Sequence, residues 1–203
     1  MSRIEPVTLT GRLVRLEPLD MAHHDGLVDA AGDGELWNLW YTLVPTPGGM
    51  AAEIERRLSL QEAGSMVPFA TRRLSDGAVI GMTTYMNIDA ELPRVEIGST
   101  WNGVSAQGTG TNAESKLLLL GHAFDTLGCP AVEFRTHWMN RQSRTAIEGL
   151  GAKLDGVLRS HTMMADGSLR DTCVYSIVAA EWPQVRAGLR HRLGQRERRP
   201  GGS

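Results

Sequence analysis

Short segments in which apolar and polar residues alternate recur along the chain, and a period of two is typical of β-strands. The predicted strands are Leu13 to Leu19, Pro68 to Leu74, Ala78 to Asn87, Arg94 to Trp101, Val132 to Trp138, Lys153 to His161 and Ser168 to Val178. Two connections, Ser75-Asp76-Gly77 and Ala165-Asp166-Gly167, have the composition of hairpin turns. The pattern therefore predicts a sheet of about seven strands.

In other segments the apolar residues recur every three or four positions, as they do on one face of an α-helix. Asp20, a residue type that caps helices, precedes the first of these segments. The other predicted helices are Met50 to Glu62, Thr111 to Leu127 and Gln142 to Leu150, each followed within two residues by a glycine. This order of elements predicts a mixed α/β domain whose central sheet is flanked by four helices.

The chain has 203 residues, of which 41% are hydrophobic and 22% charged, and this is the composition of one globular domain. No apolar run is long enough to span a bilayer, and the first residues lack the basic and then apolar pattern of a signal peptide. Two cysteines are too few for a disulfide framework, and the six histidines show no metal-ligand spacing. We therefore expect a cytoplasmic protein without a bound metal and without a membrane segment.

The net charge of −2 is distributed unevenly along the chain. Residues 184–203 contain six arginines and one glutamate, a balance of +5, so residues 1–183 carry −7. We expect residues 1–183 to form a single domain and residues 184–203 to form a basic helix or tail that is partly disordered. No stripe of interleaved aromatic and basic residues accompanies this segment, so we expect no binding to nucleic acid.

A glycine-containing loop between a strand and a helix is the most informative segment of the sequence. It comprises Gln107, Gly108, Thr109, Gly110, Thr111 and Asn112. Glycine lets the backbone approach a ligand closely, and the N–H groups of such a loop and of the helix after it can bind a phosphate or pyrophosphate. A tight turn without a ligand is the alternative. The loop lacks the Gly-Lys-Ser/Thr of nucleoside triphosphatases, and its place after the fourth strand disfavours a dinucleotide fold.

A second motif, Asn140-Arg141-Gln142-Ser143-Arg144, opens the helix after the next strand, where Asn140 is a natural N-cap. The remaining motifs are the opening Leu-Val-Arg-Leu-Glu-Pro-Leu of residues 13–19, the strand Val95-Glu96-Ile97-Gly98, the helix end Leu150-Gly151-Ala152 and the terminal hairpin through Asp166-Gly167 and Arg170-Asp171. In this order, over roughly residues 8–180, the motifs resemble the GNAT superfamily of acyl-CoA-dependent N-acetyltransferases. The likeness is to its RimJ/RimL-like branch, the ribosomal-protein N-terminal acetyltransferases.

The resemblance implies a GNAT fold in which the fourth and fifth strands of the core sheet separate to hold acetyl-CoA. The residues that it implies for cofactor binding are Ser99, Thr100 and Trp101 for the pantetheine arm, Gln107 to Asn112 for the pyrophosphate, and Asn140 and Ser143 near the thioester. The partner implied is a primary amine, either the α-amine of a peptide or protein N-terminus or the amine of a small metabolite or antibiotic.

Transfer of an acetyl group to an amine requires a neutral amine and a proton for the departing thiolate. Glu96 is a candidate base that acts through water, or else a structural carboxylate paired with Arg94 or Arg135. Ser143 is a candidate proton donor to the sulfur, or else a residue that only caps a helix. Both alternatives stay open for each residue.

Aromatic residues near the expected acceptor groove are candidates for contact with the amine substrate: Trp37, Trp40, Tyr41, Tyr85 and Tyr175. Rings that anchor a loop or fill the core are the alternative. Ser105 and Ile147 differ from the family pattern, so a non-catalytic acyl-CoA-binding protein is the alternative to an enzyme, and a nucleotide-binding regulator is a third interpretation. The likeness is also compatible with a homodimer.

Overall fold

The computed structural model describes residues 4–89, 91, 93–164 and 166–197 of the chain. Within these residues eight strands form one sheet: Leu9–Thr10 (β1), Val14–Pro18 (β2), Met66–Arg73 (β3), Val79–Asp89 (β4), Arg94–Asn102 (β5), Ala131–His137 (β6), Lys153–Met163 (β7) and Leu169–Val178 (β8). Their order across the sheet is β1-β2-β3-β4-β5-β6-β8-β7. Every neighbouring pair is antiparallel except β5 and β6, which are parallel.

Five α-helices accompany the sheet in the described part of the chain: His24–Gly32 (α1), Met50–Glu62 (α2), Thr111–Gly121 (α3), Arg141–Leu150 (α4) and Trp182–Glu197 (α5). The local sequence determines several of their ends. Asp20 accepts a hydrogen bond from the N–H of Ala22 at 2.6 Å and so caps the short helical turn that leads into α1. Gly151 ends α4 with a φ of +102°, a left-handed conformation that glycine adopts without strain.

The predicted α/β class is confirmed, with two corrections to the number of elements. The sheet has eight strands rather than about seven, because β1 has only two residues and is too short to show a period of two. There are five helices rather than four flanking ones, since α5 also forms. The predicted helix Thr111 to Leu127 is α-helical only as far as Gly121 and continues as a π-helical turn over His122–Thr126.

The two faces of the sheet carry separate hydrophobic clusters because side chains alternate along each strand. On one face, strand residues such as Phe69 and Ile97 pack with Leu119 of α3. On the other face, Ala70 and Met82 pack with residues of α1 and α2. The two helices α1 and α2 therefore cover the face opposite to α3, and we call theirs the α2 face.

Helix α5 packs against the rest of the chain rather than extending from it. Trp182 stacks on Phe124 at 5.4 Å between ring centroids, and its Nε1 donates to Asp125 at 3.0 Å. Leu189 and Leu193 are also buried. The helix crosses the domain limit proposed at residue 183, which stays a prediction. Residues 198–203, where the frayed basic end is expected, lie outside the described residues. Among the described helices none is long and apolar enough to cross a bilayer.

Candidate functional site

The central parallel strands β5 and β6 pair over only a short distance. Their aligned residues are Val95 with Val132 and Glu96 with Glu133. Beyond these pairs β5 continues to Asn102, while β6 turns away and pairs along its whole length with β8. A gap therefore opens between the carboxyl ends of β5 and β6, and the facing edge of β5 presents backbone groups with which an extended ligand can form hydrogen bonds.

A bulge in β5 lies at the opening of this gap. One extra residue is inserted in β5 between Gly98 and Trp101, and Ser99 has a φ of +46°. The buried guanidinium of Arg57 in α2 lies at 3.4 Å from the carbonyl oxygen of Ser99 and donates to Oγ1 of Thr84 at 2.7 Å. The bulge is thus supported from the α2 face by a cation that the sequence pattern does not reveal.

A second buried basic side chain supports the bulge from the α3 face. Nζ of Lys116 donates to Oγ1 of Thr100 at 2.7 Å and to Oγ1 of Thr83 at 3.0 Å. Burial lowers the pKa of Lys116 to about 7. Sequence reasoning missed this residue, although its spacing of three from Ala113 and four from Leu120 places it on the apolar face of α3.

The glycine-containing loop forms a tight turn at the amino end of α3. Gly108 and Gly110 have φ values of +73° and +100°, and Gly110 is the N-cap of α3 without a side-chain cap. The hydroxyls of Thr109 and Thr111 both donate to the carbonyl oxygen of Ala106, at 2.6 and 3.0 Å. The first N–H groups of α3 have no intrahelical acceptor, and the helix dipole makes this end electropositive. The arrangement suits a phosphate group.

Helix α4 borders the same gap from the side of β6. Asn140 accepts a hydrogen bond from the N–H of Ser143 at 2.9 Å and so caps the helix. The hydroxyl of Ser143 forms no hydrogen bond with any residue that the structure describes. Nε2 of Gln142 donates to Oε1 of Gln107 at 3.0 Å. The residues predicted to bind the cofactor therefore lie around one gap in the sheet: Ser99, Thr100, Trp101, Gln107 to Asn112, Asn140 and Ser143.

The sequence of residues 13–153 matches the family model described as an acetyltransferase (GNAT) domain, and this is well over half of the chain. The chain belongs to the GNAT acetyltransferase family. It is an N-acetyltransferase that uses acetyl-CoA, and the expected GNAT fold is confirmed, while the RimJ/RimL-like branch stays a prediction. No curated protein matches this chain in a comparison of sequences.

Solved structures agree with this assignment. A GCN5-related N-acetyltransferase from Brucella melitensis is 30% identical to this GNAT protein, with 93% of this chain and 86% of that chain covered and a TM-score of 0.81. Mycobacterium smegmatis RimJ in complex with CoA-disulfide is 24% identical, with coverage of 93% and 95% and a TM-score of 0.77, and it shows the shared fold alone. The Microcin C7 self immunity acetyltransferase MccE, in complex with acetyl-CoA and AMP, is 17% identical, with coverage of 83% and 93% and a TM-score of 0.72, and shows the shared fold alone.

In this GNAT protein Glu96 lies on the α2 face of β5, two residues before Gly98, at which the bulge begins. Its side chain is buried and accepts a hydrogen bond from Nδ2 of Asn87 at 2.7 Å, and Nε of Arg135 lies 3.5 Å from its carboxylate. Burial raises the pKa of Glu96. A Cβ atom added at Gly98 would lie 2.8 Å from Oε1 of Glu96. Because glycine has no Cβ, the carboxylate can lie beside the bulge without a steric clash.

The predicted aromatic residues divide between the surface and the core. Trp40 is 62% exposed, and its ring makes edge contacts with Tyr41 at 5.5 Å and with His137 at 5.4 Å. Trp37 is half-buried against the cluster of the α2 face. Because His137 ends β6, these contacts bring the loop around Trp40 to the edge of the gap.

Two of the predicted substrate contacts are core residues instead. Tyr85 is fully buried, and its hydroxyl donates to the carbonyl oxygen of Leu119 at 2.5 Å. Tyr175 is also fully buried, donates to Glu148 at 2.7 Å and accepts from Nε of Arg144 at 3.1 Å. The structure thus places both tyrosines in the core and not at the acceptor groove, against the prediction, because their rings point toward α3 and α4.

Proposed function

We propose that this enzyme transfers the acetyl group of acetyl-CoA directly to a primary amine, with both substrates bound at the same time. The observation that carries the proposal is the buried carboxylate of Glu96 beside the β5 bulge, at the opening between β5 and β6. Acetyl-CoA would bind at one side of this opening, and the amine would approach from the α2 face. The two substrates would then meet at Glu96.

The residues that surround the gap fit acetyl-CoA. An extended arm can pair with the backbone of Ser99, Thr100 and Trp101, and the glycine-containing loop together with the uncapped amino end of α3 offers N–H groups to a pyrophosphate. Oδ1 of Asn112 is buried without a hydrogen-bond partner among the described residues, so a polar group is still missing there. Bound acetyl-CoA supplies an activated acyl group with a thiolate as the leaving group.

Glu96 would act as the base that takes a proton from the attacking amine, through a water molecule. Its raised pKa brings the carboxylate closer to neutral pH and makes it a stronger base. An α-amine, with a pKa of about 8, is already about one tenth neutral at pH 7 and needs less help than a lysine side chain. The free hydroxyl of Ser143 is the proposed proton donor to the thiolate.

The acceptor that we propose is an N-terminal α-amine of a peptide or protein, or the amine of a small metabolite or antibiotic. Exposed Trp40 and the ring of Tyr41 form one wall of the entrance, where they can stack on an apolar group or hold a cation. A homodimer and a cytoplasmic location remain expectations, which light scattering and cell fractionation would test.

The test is to mix the protein with acetyl-CoA and a panel of peptides and small amines, and to measure the free thiol and the acetylated amine. We expect equal amounts of both products. Glu96→Gln should lower turnover at pH 7 by about 100-fold, with partial recovery at high pH where the amine loses its proton unaided. Glu62→Gln, at an exposed position, is the matched control. Binding of acetyl-CoA without transfer to any amine would contradict the proposal.

A further inference from the structure

Arg170 of β8 lies on the same face of the sheet as Glu96. In the antiparallel pairing of β6 and β8, Arg135 is opposite Val174 and His137 is opposite Thr172. Residues that are directly opposite each other in a sheet project from the same face, so Thr172 projects from the face of His137. Every second residue of a strand projects from the same face, so Arg170 lies on that face too. This is the α2 face, on which the amine would approach.

The guanidinium of Arg170 is not satisfied within the protein. Its side chain is partly buried, and its Nε is fully buried without a hydrogen-bond acceptor. The guanidinium of Arg170 forms neither a hydrogen bond nor an ion pair with any side chain or backbone group in the described part of the chain. Burial lowers its pKa, and the negative charge of Glu96 opposes this shift. A partly buried guanidinium without an acceptor is unfavourable, and an anion that accepts its hydrogen bonds would remove that cost. The Nε atoms of Arg94 and Arg135 also lack an acceptor, but both of these guanidinium groups bind Glu133.

Among the side chains that the structure describes around Glu96, the arginines outnumber the carboxylates by one. The cluster consists of Glu96, Glu133, Arg94, Arg135 and Arg170. Arg94 and Arg135 both bind Glu133, and Arg135 is also the arginine nearest to Glu96. Asp171, the carboxylate next to Arg170 in sequence, binds Arg159 and the N–H of Ser160 instead. The three arginines thus face two carboxylates, and Arg170 is the one whose guanidinium has no hydrogen bond or close ion pair with a described residue.

We infer that Arg170 binds an anionic group, a carboxylate or a phosphate, carried by the acceptor amine. A guanidinium binds either group through two parallel hydrogen bonds, which a neutral amide cannot match. The inference rests on the proposed function and narrows its substrate class to amines that also carry an acidic group. Arg170 then determines specificity, while Glu96 handles the proton of the amine.

The alternative role for Arg170 is to balance the charge of Glu96 without touching a substrate. If Arg170 has only that role, its substitution should lower the activity by the same factor for every acceptor. Binding of an acidic group predicts instead a loss that is confined to acidic acceptors. The ratio between acidic and neutral acceptors therefore separates the two roles.

The experiment compares acceptors in matched pairs, each with the same skeleton and with or without the acidic group. The pairs are the amidated peptides Ser-Asp-Ala and Ser-Asn-Ala, phenylalanine and phenylalaninamide, and O-phosphoethanolamine and ethanolamine. The kcat/KM for each compound is measured with wild type, Arg170→Gln, Arg170→Lys and, as a control on the exposed side of α5, Arg190→Gln. The first two pairs test a carboxylate and the third tests a phosphate.

We expect wild type to prefer the acidic member of at least one pair by tenfold or more. Arg170→Gln should reduce that preference to within twofold, Arg170→Lys should retain part of it, and Arg190→Gln should leave it unchanged. A wild type without any preference, or an equal loss for both members of every pair in Arg170→Gln, would overturn the inference.

A second readout keeps the inference separate from the proposed function. Each compound is titrated into the complex of the protein with CoA, and binding is followed by the tryptophan fluorescence to which Trp40 contributes. In one outcome the acidic member binds preferentially to wild type and not to Arg170→Gln, while no amine is acetylated. That result would support the role of Arg170 and contradict the proposed reaction. Equal binding of both members of every pair would contradict the role of Arg170.

Discussion

The stability of this GNAT protein should depend on pH through one buried amine. Lys116 lies among Thr83, Thr100 and the apolar face of α3, and burial lowers its pKa from 10.5 to about 7. The unfolded chain therefore holds this proton up to about pH 10.5, while the folded protein releases it from about pH 7. Between these values unfolding takes up a proton, so the free energy of unfolding rises with pH.

The size of this effect follows from the two pKa values. With 10.5 for the unfolded and about 7 for the folded state, Lys116 lowers the free energy of unfolding by about 4 kcal/mol at pH 7 and by about 2 kcal/mol at pH 9. The rise from pH 7 to pH 9 is therefore about 2 kcal/mol. Above pH 9 the thiol of Cys129, whose pKa is raised to about 11 by burial, contributes a loss of stability in the opposite direction.

The perturbation is Lys116→Met, which keeps a long side chain and removes the charge. The hydroxyls of Thr83 and Thr100 already lie 2.7 Å apart and can bond to each other without the amine. The assay is urea unfolding at pH 7, 8 and 9, followed by tryptophan fluorescence. Lys153, the other lysine of the chain, has a side chain that is 75% exposed, so Lys153→Met is the control.

We expect the variant Lys116→Met to be at least as stable as wild type at pH 7. Wild type and Lys153→Met should gain about 2 kcal/mol more than Lys116→Met between pH 7 and pH 9. If all three proteins gain the same free energy over this range, the lysine is not held neutral by burial and the reasoning is refuted.

Two further substitutions test the support of the fold and of the site. The carboxylate of Glu114 accepts hydrogen bonds from the N–H groups of Arg12, Leu13 and Val14 at 2.6–3.0 Å. Glu114→Ala should therefore lower the free energy of unfolding, measured by urea unfolding, by about 3 kcal/mol. A loss below about 1 kcal/mol would contradict this role. Gly98→Ala should lower kcat by tenfold or more with little change in the Kd for acetyl-CoA, because the new Cβ would lie 2.7 Å from the sulfur of Met86 and 2.8 Å from Oε1 of Glu96 and would displace that carboxylate. Gly48→Ala, at an open position, should leave kcat unchanged.

Local features of this protein could be read from its sequence because they depend on neighbouring residues. The caps at Asp20 and Asn140 and the glycine stop at Gly151 form within one helical turn, and all three are present. The period of two found seven of the eight strands for the same reason. The order of short motifs was sufficient to reach the GNAT family, since each motif keeps its place between the same elements.

The arrangement around the gap, in contrast, was decided by contacts between distant segments. The alternation of residues along β4 and β5 separates the two faces of the sheet, but it does not show which helix covers each face. For this reason Tyr85 was expected at the groove, whereas the structure has it in the core. Lys116 meets hydroxyls from two strands that precede it in the chain, and Arg170 meets the charge of Glu96 across β6. The sequence by itself determined most of the elements, the family and the position of the glycine-containing loop, because these follow from near neighbours. Only the tertiary structure decided which charged side chains are buried and which of them are paired, because burial depends on what the rest of the chain places beside them.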